Sequence, residues 1–249
     1  MLPPAAINAS GRAQPPQCKP LGVLHRNAYR VYHNLVLRLR RSKTVHCWLF
    51  GYRPCDASNE HGYWDWTTLI LRKAIQIYLR PEMSLLDVGT GPVAVLAVFA
   101  KLQKRCLRVT GVDYVPEIVS LAQSTAQHLS LDIEVRDSDL FSEVAGRFDM
   151  IVFNAPYLDS ERGRQLGILR RGLDEKRFRG GQGGGNTIQR FLDGVPRHLA
   201  RNGIAVVGVN HYHITRTLVM ALIARSGLEL RRRIEGVAIP AAAYVLRCP

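Results

Sequence analysis

The first 55 positions of this 249-residue chain contain no acidic residue; Asp56 is the first. The same stretch holds nine Lys and Arg, so nine of the net +14 charges lie at one end. That excludes an acidic solvating arm and leaves a basic patch able to attract phosphate backbones or another acidic partner. Charge alone supports no more than weak nucleic-acid contact through residues 1–55. Long apolar runs are missing too. None reaches the roughly 18 to 20 residues that cross a bilayer, so no membrane partner is expected. The opening MLPPAAINASGRAQPPQCKP lacks a charged segment followed by an apolar one, which argues against a secretory leader. Its Pro, Ala and Gln content reads as a flexible tail over residues 1–20. Cysteines are few: Cys18, Cys47, Cys55, Cys106 and Cys248, with no CxxC pair. This spacing argues against a zinc site, any other metal centre or a disulfide framework, and fits a reducing cytoplasm. No internal repeat is visible, and no signal for oligomeric state.

The chain has ample apolar content, 47% hydrophobic, for one sizeable core. Leu24, Ala28, Val31, Tyr32, Leu35 and Leu39 recur at helical spacing, which predicts an amphipathic helix in a basic segment spanning 21–66. HCWLFGYRPCDASNEHGYWDW, residues 46–66, is aromatic and irregular. A helix is expected from Thr67 to Leu79, stopped by Pro81. Strict alternation then begins over the remaining domain, 67–249: strand Ser84–Val88, helix Val93–Leu102, strand Arg108–Val112, helix Pro116–His128, strand Ile133–Val135 and strand 148–153. After a polar loop come helix Thr187–Ala200, strand Gly203–Val209, helix Thr215–Arg225 and paired strands near Leu228–Ile234 and Ala242–Leu246. Such alternation predicts an α/β fold with a mostly parallel sheet and helices on both faces.

LLDVGTGPVAVLA, residues 85–97, is the strongest local signal. A strand ends at Asp87, the chain turns through Gly89 and Gly91, and a helix follows. Glycines there let backbone approach a ligand closely. Gly89-x-Gly91-x-x-Ala94 formally matches a dinucleotide fingerprint, and Asp113 ends the next strand where a ribose-binding acid belongs. A carboxylate at Asp87, beside a helix start, would repel a pyrophosphate; it suits a ligand carrying an ammonium and a sulfonium. On these residues the sequence resembles the class I methyltransferases that use S-adenosyl-L-methionine. The resemblance implies a Rossmann-like, mostly parallel seven-stranded sheet with an antiparallel terminal strand. It implies that Asp87, Gly89, Thr90 and Gly91 hold the methionine end, and that Asp113, with Tyr114 beside it, takes the ribose hydroxyls. Within RDSDLF it gives Asp139 the adenine amino group and Leu140 the face of the base. Val93 stands where many members carry a third glycine.

FDMIVFNAPYLDSE, residues 148–161, runs from a buried-type strand straight into an amide, a proline and an aromatic. Asn154, Ala155, Pro156 and Tyr157 resemble the Asn-Pro-Pro-Tyr box of nitrogen methyltransferases, which act on nucleic-acid adenine or, in the HemK type, on protein glutamine. An amide or aryl-amine nitrogen is a poor nucleophile because its lone pair is delocalised. The Asn154 side chain and the carbonyl of residue 155 can accept its two N–H bonds and aim that lone pair. Tyr157 would stack on the planar acceptor. LDEKRFRGGQGGGNTIQRFL resembles the HemK-type Gly-Gly-x-Asp-Gly segment through Gly180, Gly181 and Gly184, with Gly183 in place of the Asp. Gly180-Gly181-Gln182 also spells the tripeptide that HemK-type enzymes modify in release factors, but the segment reads as a glycine hinge. WDWTTLIL lies where the HemK type has a Thr-Glu pair near the cofactor, which points to Thr67 or Trp66 as a lid.

The resemblance covers about residues 62–246. It implies an enzyme moving a methyl group to nitrogen, with three acceptor classes open. A small molecule or peptide metabolite is favoured by the short, divergent N-terminus and the altered box. A protein glutamine is favoured by the overall layout, and nucleic-acid adenine by the basic first 55 residues. A cofactor-binding module without turnover is the non-enzymatic alternative.

Overall fold

The computed structural model describes residues 35–54, 62–104, 108–156, 185–236 and 239–249. The chain divides into two units, 1–39 and 40–249. Of the first unit, residues 35–39 are described and are helical, as expected there; residues 1–34 lie outside the described residues, as do Tyr157 and Gly180–Gly184.

In the second unit α1 (Lys43–Phe50) and α2 (Trp66–Tyr78) precede β1 (Ser84–Val88), α3 (Val95–Lys104), β2 (Arg108–Asp113), α4 (Pro116–His128), β3 (Glu134–Asp137) and β4 (Phe148–Asn154). Then follow α5 (Asn186–His198), β5 (Leu199–Asn210), α6 (Arg216–Ser226), β6 (Glu229–Glu235) and β7 (Ala241–Arg247). The strands form one seven-stranded sheet in the order β3-β2-β1-β4-β5-β7-β6. β1 to β5 run parallel, and β7 pairs antiparallel with both β5 and β6. This is a Rossmann-like α/β sheet.

Alternating side chains feed two cores. Leu85, Met150, Val152, Val206 and Val245 pack with α2 and α3 on one face. Leu86, Ile151, Phe153, Val207 and Tyr244 pack with α5 and α6 on the other. β1 is buried throughout because helices cover both of its faces, which explains its apolar character apart from Ser84 and Asp87.

Most element boundaries lie within a few residues of the sequence reading, and three of the differences have a local reason. α3 begins at Val95 and not Val93, because Ala94 adopts a left-handed φ of 45° that belongs to a turn. β5 begins at Leu199, directly where α5 ends, so no turn residues mark the junction. β3 runs on to Asp137 because it pairs in register with β2, Asp137 opposite Asp113. Among the described residues no helix is long and apolar enough to cross a membrane.

Candidate functional site

The strand order reverses between β1 and β4, and in open parallel sheets that switch point opens a crevice beyond the carboxyl ends of the strands. The candidate residues cluster there. Asp87 is 2% exposed. The Thr90 hydroxyl donates to its Oδ2 at 2.8 Å, and the Ala97 amide donates to the same oxygen at 3.2 Å. Burial pushes the carboxyl up to about 7, with the nearby Asp113 charge adding to the rise and the two hydrogen bonds opposing it.

The turn between β1 and α3 wraps around this carboxyl. Gly89 and Gly91 have φ of 65° and 71°, which a side chain would strain. A Cβ on Gly89 would touch the Phe153 ring at 3.6 Å, whereas one on Gly91 would meet nothing within 4 Å. Gly91 therefore borders open space. The Gly91 amide donates to Asp113 Oδ2 and the Val115 amide to Asp113 Oδ1, both at 3.2 Å, which fixes the acid at the end of β2 against the turn. Val93 is buried, and its carbonyl accepts the Tyr52 hydroxyl at 2.8 Å. Gly111 makes room for the turn, since a Cβ there would lie 2.9 Å from Thr90 Oγ1.

Farther along the crevice, Tyr114 is exposed. Asp139 is exposed and pairs with Arg190 of α5 at 2.8 Å. Leu140 holds a left-handed φ of 57°, strain of the kind that concentrates at ligand sites.

Asn154 ends β4 beside the turn. Its Nδ2 donates to Asp65 Oδ1 at 3.2 Å and to Thr68 Oγ1 at 3.3 Å, while its Oδ1 is buried and has no hydrogen-bond partner among the described residues. The carboxylate of Asp65 can only accept, so the amide nitrogen must face it and the oxygen must face away. Leaving such an acceptor unmet costs roughly 1–3 kcal/mol. Next to it the Ala155 amide donates to the Gly208 carbonyl at 3.2 Å. Pro156 continues the chain out of the sheet, and Tyr157 lies beyond the described residues.

The residues facing Asn154 were not singled out in the sequence. Asp65 caps α2 through the Thr68 amide at 2.7 Å, and Thr68 returns a bond to the Asp65 amide, a reciprocal capping box. Asp-x-x-Thr before an apolar run was the signal available. Of the two lid candidates, Thr67 is fully buried beneath β5, where a Cβ on Gly208 would come within 2.5 Å of its Cγ2, and Trp66 is half-buried.

A family model described as the methyltransferase small domain matches residues 60–171. Over 108 residues the chain is 37% identical to the release factor glutamine methyltransferase of Haemophilus influenzae, a match covering 38% of this chain and 37% of that protein. In this stretch the chain is similar to HemK-type class I methyltransferases. Over 88 residues the chain is 44% identical to the ribosomal protein L11 methyltransferase of Thermosipho africanus, covering 35% of this chain and 33% of that protein. The match thus spans about a third of the length of these two curated relatives. In fold the chain is similar to a methyltransferase from Pyrococcus furiosus, with a TM-score of 0.61 at 18% identity, over 89% of this chain and 100% of that one.

Proposed function

We propose that the protein transfers a methyl group from S-adenosyl-L-methionine to a planar nitrogen, the primary amide of a peptide or small molecule. The observation that carries the reading is the oriented, unmet acceptor of Asn154 at the carboxyl end of β4. It is a polar group held ready at a cost for a donor that the described residues do not supply.

The residues around the turn fit the cofactor. Gly91 borders space that a Cβ would fill. Asp87 and Asp113 put two carboxyls at one turn, which suits a cation and disfavours a pyrophosphate. Asp87, Gly89, Thr90 and Gly91 would hold the methionine end, Asp113 and Tyr114 the ribose, and Asp139 and Leu140 the base. The cofactor supplies a methyl group made electrophilic by its sulfonium. Asn154 Oδ1 and the Ala155 carbonyl would accept the two N–H bonds of the incoming nitrogen. These contacts turn its lone pair toward the methyl group and stabilise the positive charge developing on nitrogen. Pro156 would turn the chain away from the strand so that Tyr157 covers the acceptor plane.

The relatives named for glutamine methylation favour an amide over an aryl amine. The test is calorimetric titration of the full chain with S-adenosylhomocysteine and with NAD, followed by methyl transfer to a Gly-Gly-Gln peptide. Binding of NAD alone would refute the cofactor assignment.

A further inference from the structure

We infer that Asp65 is the positioning residue that sets the direction of the Asn154 amide, and so selects which face of it the acceptor meets. The inference rests on the reading of Asn154 given above. The two ends of an asparagine amide have nearly the same shape, and rotation about its last torsion is broad. Something must choose between oxygen-out and nitrogen-out. Asp65 does so in two ways.

First, its Oδ1 lies 3.2 Å from Asn154 Nδ2. The flipped amide would press oxygen against a carboxylate oxygen. Second, Asp65 takes the one proton of the Thr68 hydroxyl, at 2.8 Å. Thr68 Oγ1 can then only accept from Asn154, at 3.3 Å, and the flipped oxygen would find no donor there either. Were Thr68 free to turn its proton, it could satisfy Asn154 Oδ1 and spend the group that the acceptor needs.

Asp65 is itself anchored. It caps α2, whose first turn is seated on β5 where Gly208 leaves room for Thr67. The link joins residues 89 positions apart, so the capping box fixes α2 and the polarity of the acceptor site together.

The test uses the full chain with Asp65→Ser and Asp65→Asn. Serine still caps the Thr68 amide but is too short to reach Asn154. Asparagine keeps an oxygen in the same place. The side-chain amide resonances of Asn154, assigned by Asn154→Ala, are the primary readout. They should be protected from solvent exchange in the parent and in Asp65→Asn, and lose that protection in Asp65→Ser. Single-turnover methylation of a Gly-Gly-Gln peptide should fall about tenfold to a hundredfold in Asp65→Ser, with S-adenosylhomocysteine affinity and Tm unchanged. In an Asn154→Ala background, Asp65→Ser should slow the reaction no further. Unchanged Asn154 resonances in Asp65→Ser would overturn the inference. If the parent binds no S-adenosylhomocysteine, the proposed function fails while the resonances still decide whether Asp65 orients Asn154.

Discussion

Replacing Asp87 by Asn should make the protein without cofactor more stable at pH 8 and a poorer binder. The carboxyl is buried and raised from 3.8 to about 7. A folded-state value above the unfolded one means that the native chain keeps this proton after the unfolded chain has lost it. Stability is therefore lost as pH climbs from about 4 to about 7, by roughly 1.4 kcal/mol per pH unit and about 4 kcal/mol at most. Asparagine removes that penalty. Both hydrogen bonds to Asp87 fall on Oδ2, so one amide oxygen can accept the Thr90 hydroxyl and the Ala97 amide. The new NH₂ lacks a comparable partner, at a cost of roughly 1–3 kcal/mol, leaving a net gain of about 1–3 kcal/mol at pH 8 and none at pH 5. For a chain of this size that is a rise in Tm of a few degrees. Binding should move the other way. The ammonium group of the ligand prefers the ionised carboxyl, so affinity for S-adenosylhomocysteine should rise about fivefold from pH 6 to pH 7 in the parent and stay flat in Asp87→Asn. Thermal melts at pH 5 and pH 8, with calorimetry at pH 6 and pH 7, check both halves. Equal slopes in parent and variant would refute the assignment of Asp87 to the cation.

Gly91→Ala should lower stability by only about 1–2 kcal/mol, the strain of a left-handed Cβ, yet weaken S-adenosylhomocysteine binding at least tenfold by filling the cradle; melts and calorimetry separate the two effects. Asp113→Ala should weaken the same ligand by roughly 1–3 kcal/mol, read by calorimetry, because it removes the acceptor proposed for the ribose hydroxyls. Gly208→Ala should cost about 1–3 kcal/mol by overpacking against Thr67 and Leu71, and chemical denaturation measures it directly.

β1 and α4 were read from the sequence to the residue because their determinants are local. One is a short apolar run ending in Asp and Gly. The other is a helix opened by Pro116 in its first turn. The glycine turn was legible for the same reason, with strand, acid and glycines falling within five residues. Its supports were not. Gly111 matters because of Thr90 across the sheet, and Gly208 because of Thr67 on a distant helix. Asn154 was visible as a motif, but its orientation comes from Asp65, which the chain brings to it only on folding. Periodicity reports which face is buried and says nothing about which polar groups meet at the end of a strand.

Methyl transfer resolved to the atom tests the central claim most directly. The full chain is incubated with methyl-labelled S-adenosylmethionine and a Gly-Gly-Gln peptide, and the product is located by fragmentation mass spectrometry for the parent and for Asn154→Ala. The label should sit on the side-chain nitrogen. Asn154→Ala should lower the rate by roughly 10²–10³, the cost of losing one preorganised polar contact at the reacting centre, while S-adenosylhomocysteine affinity stays at the parent value. Label on oxygen or carbon, or parent-rate turnover by Asn154→Ala, would contradict a nitrogen acceptor held by Asn154.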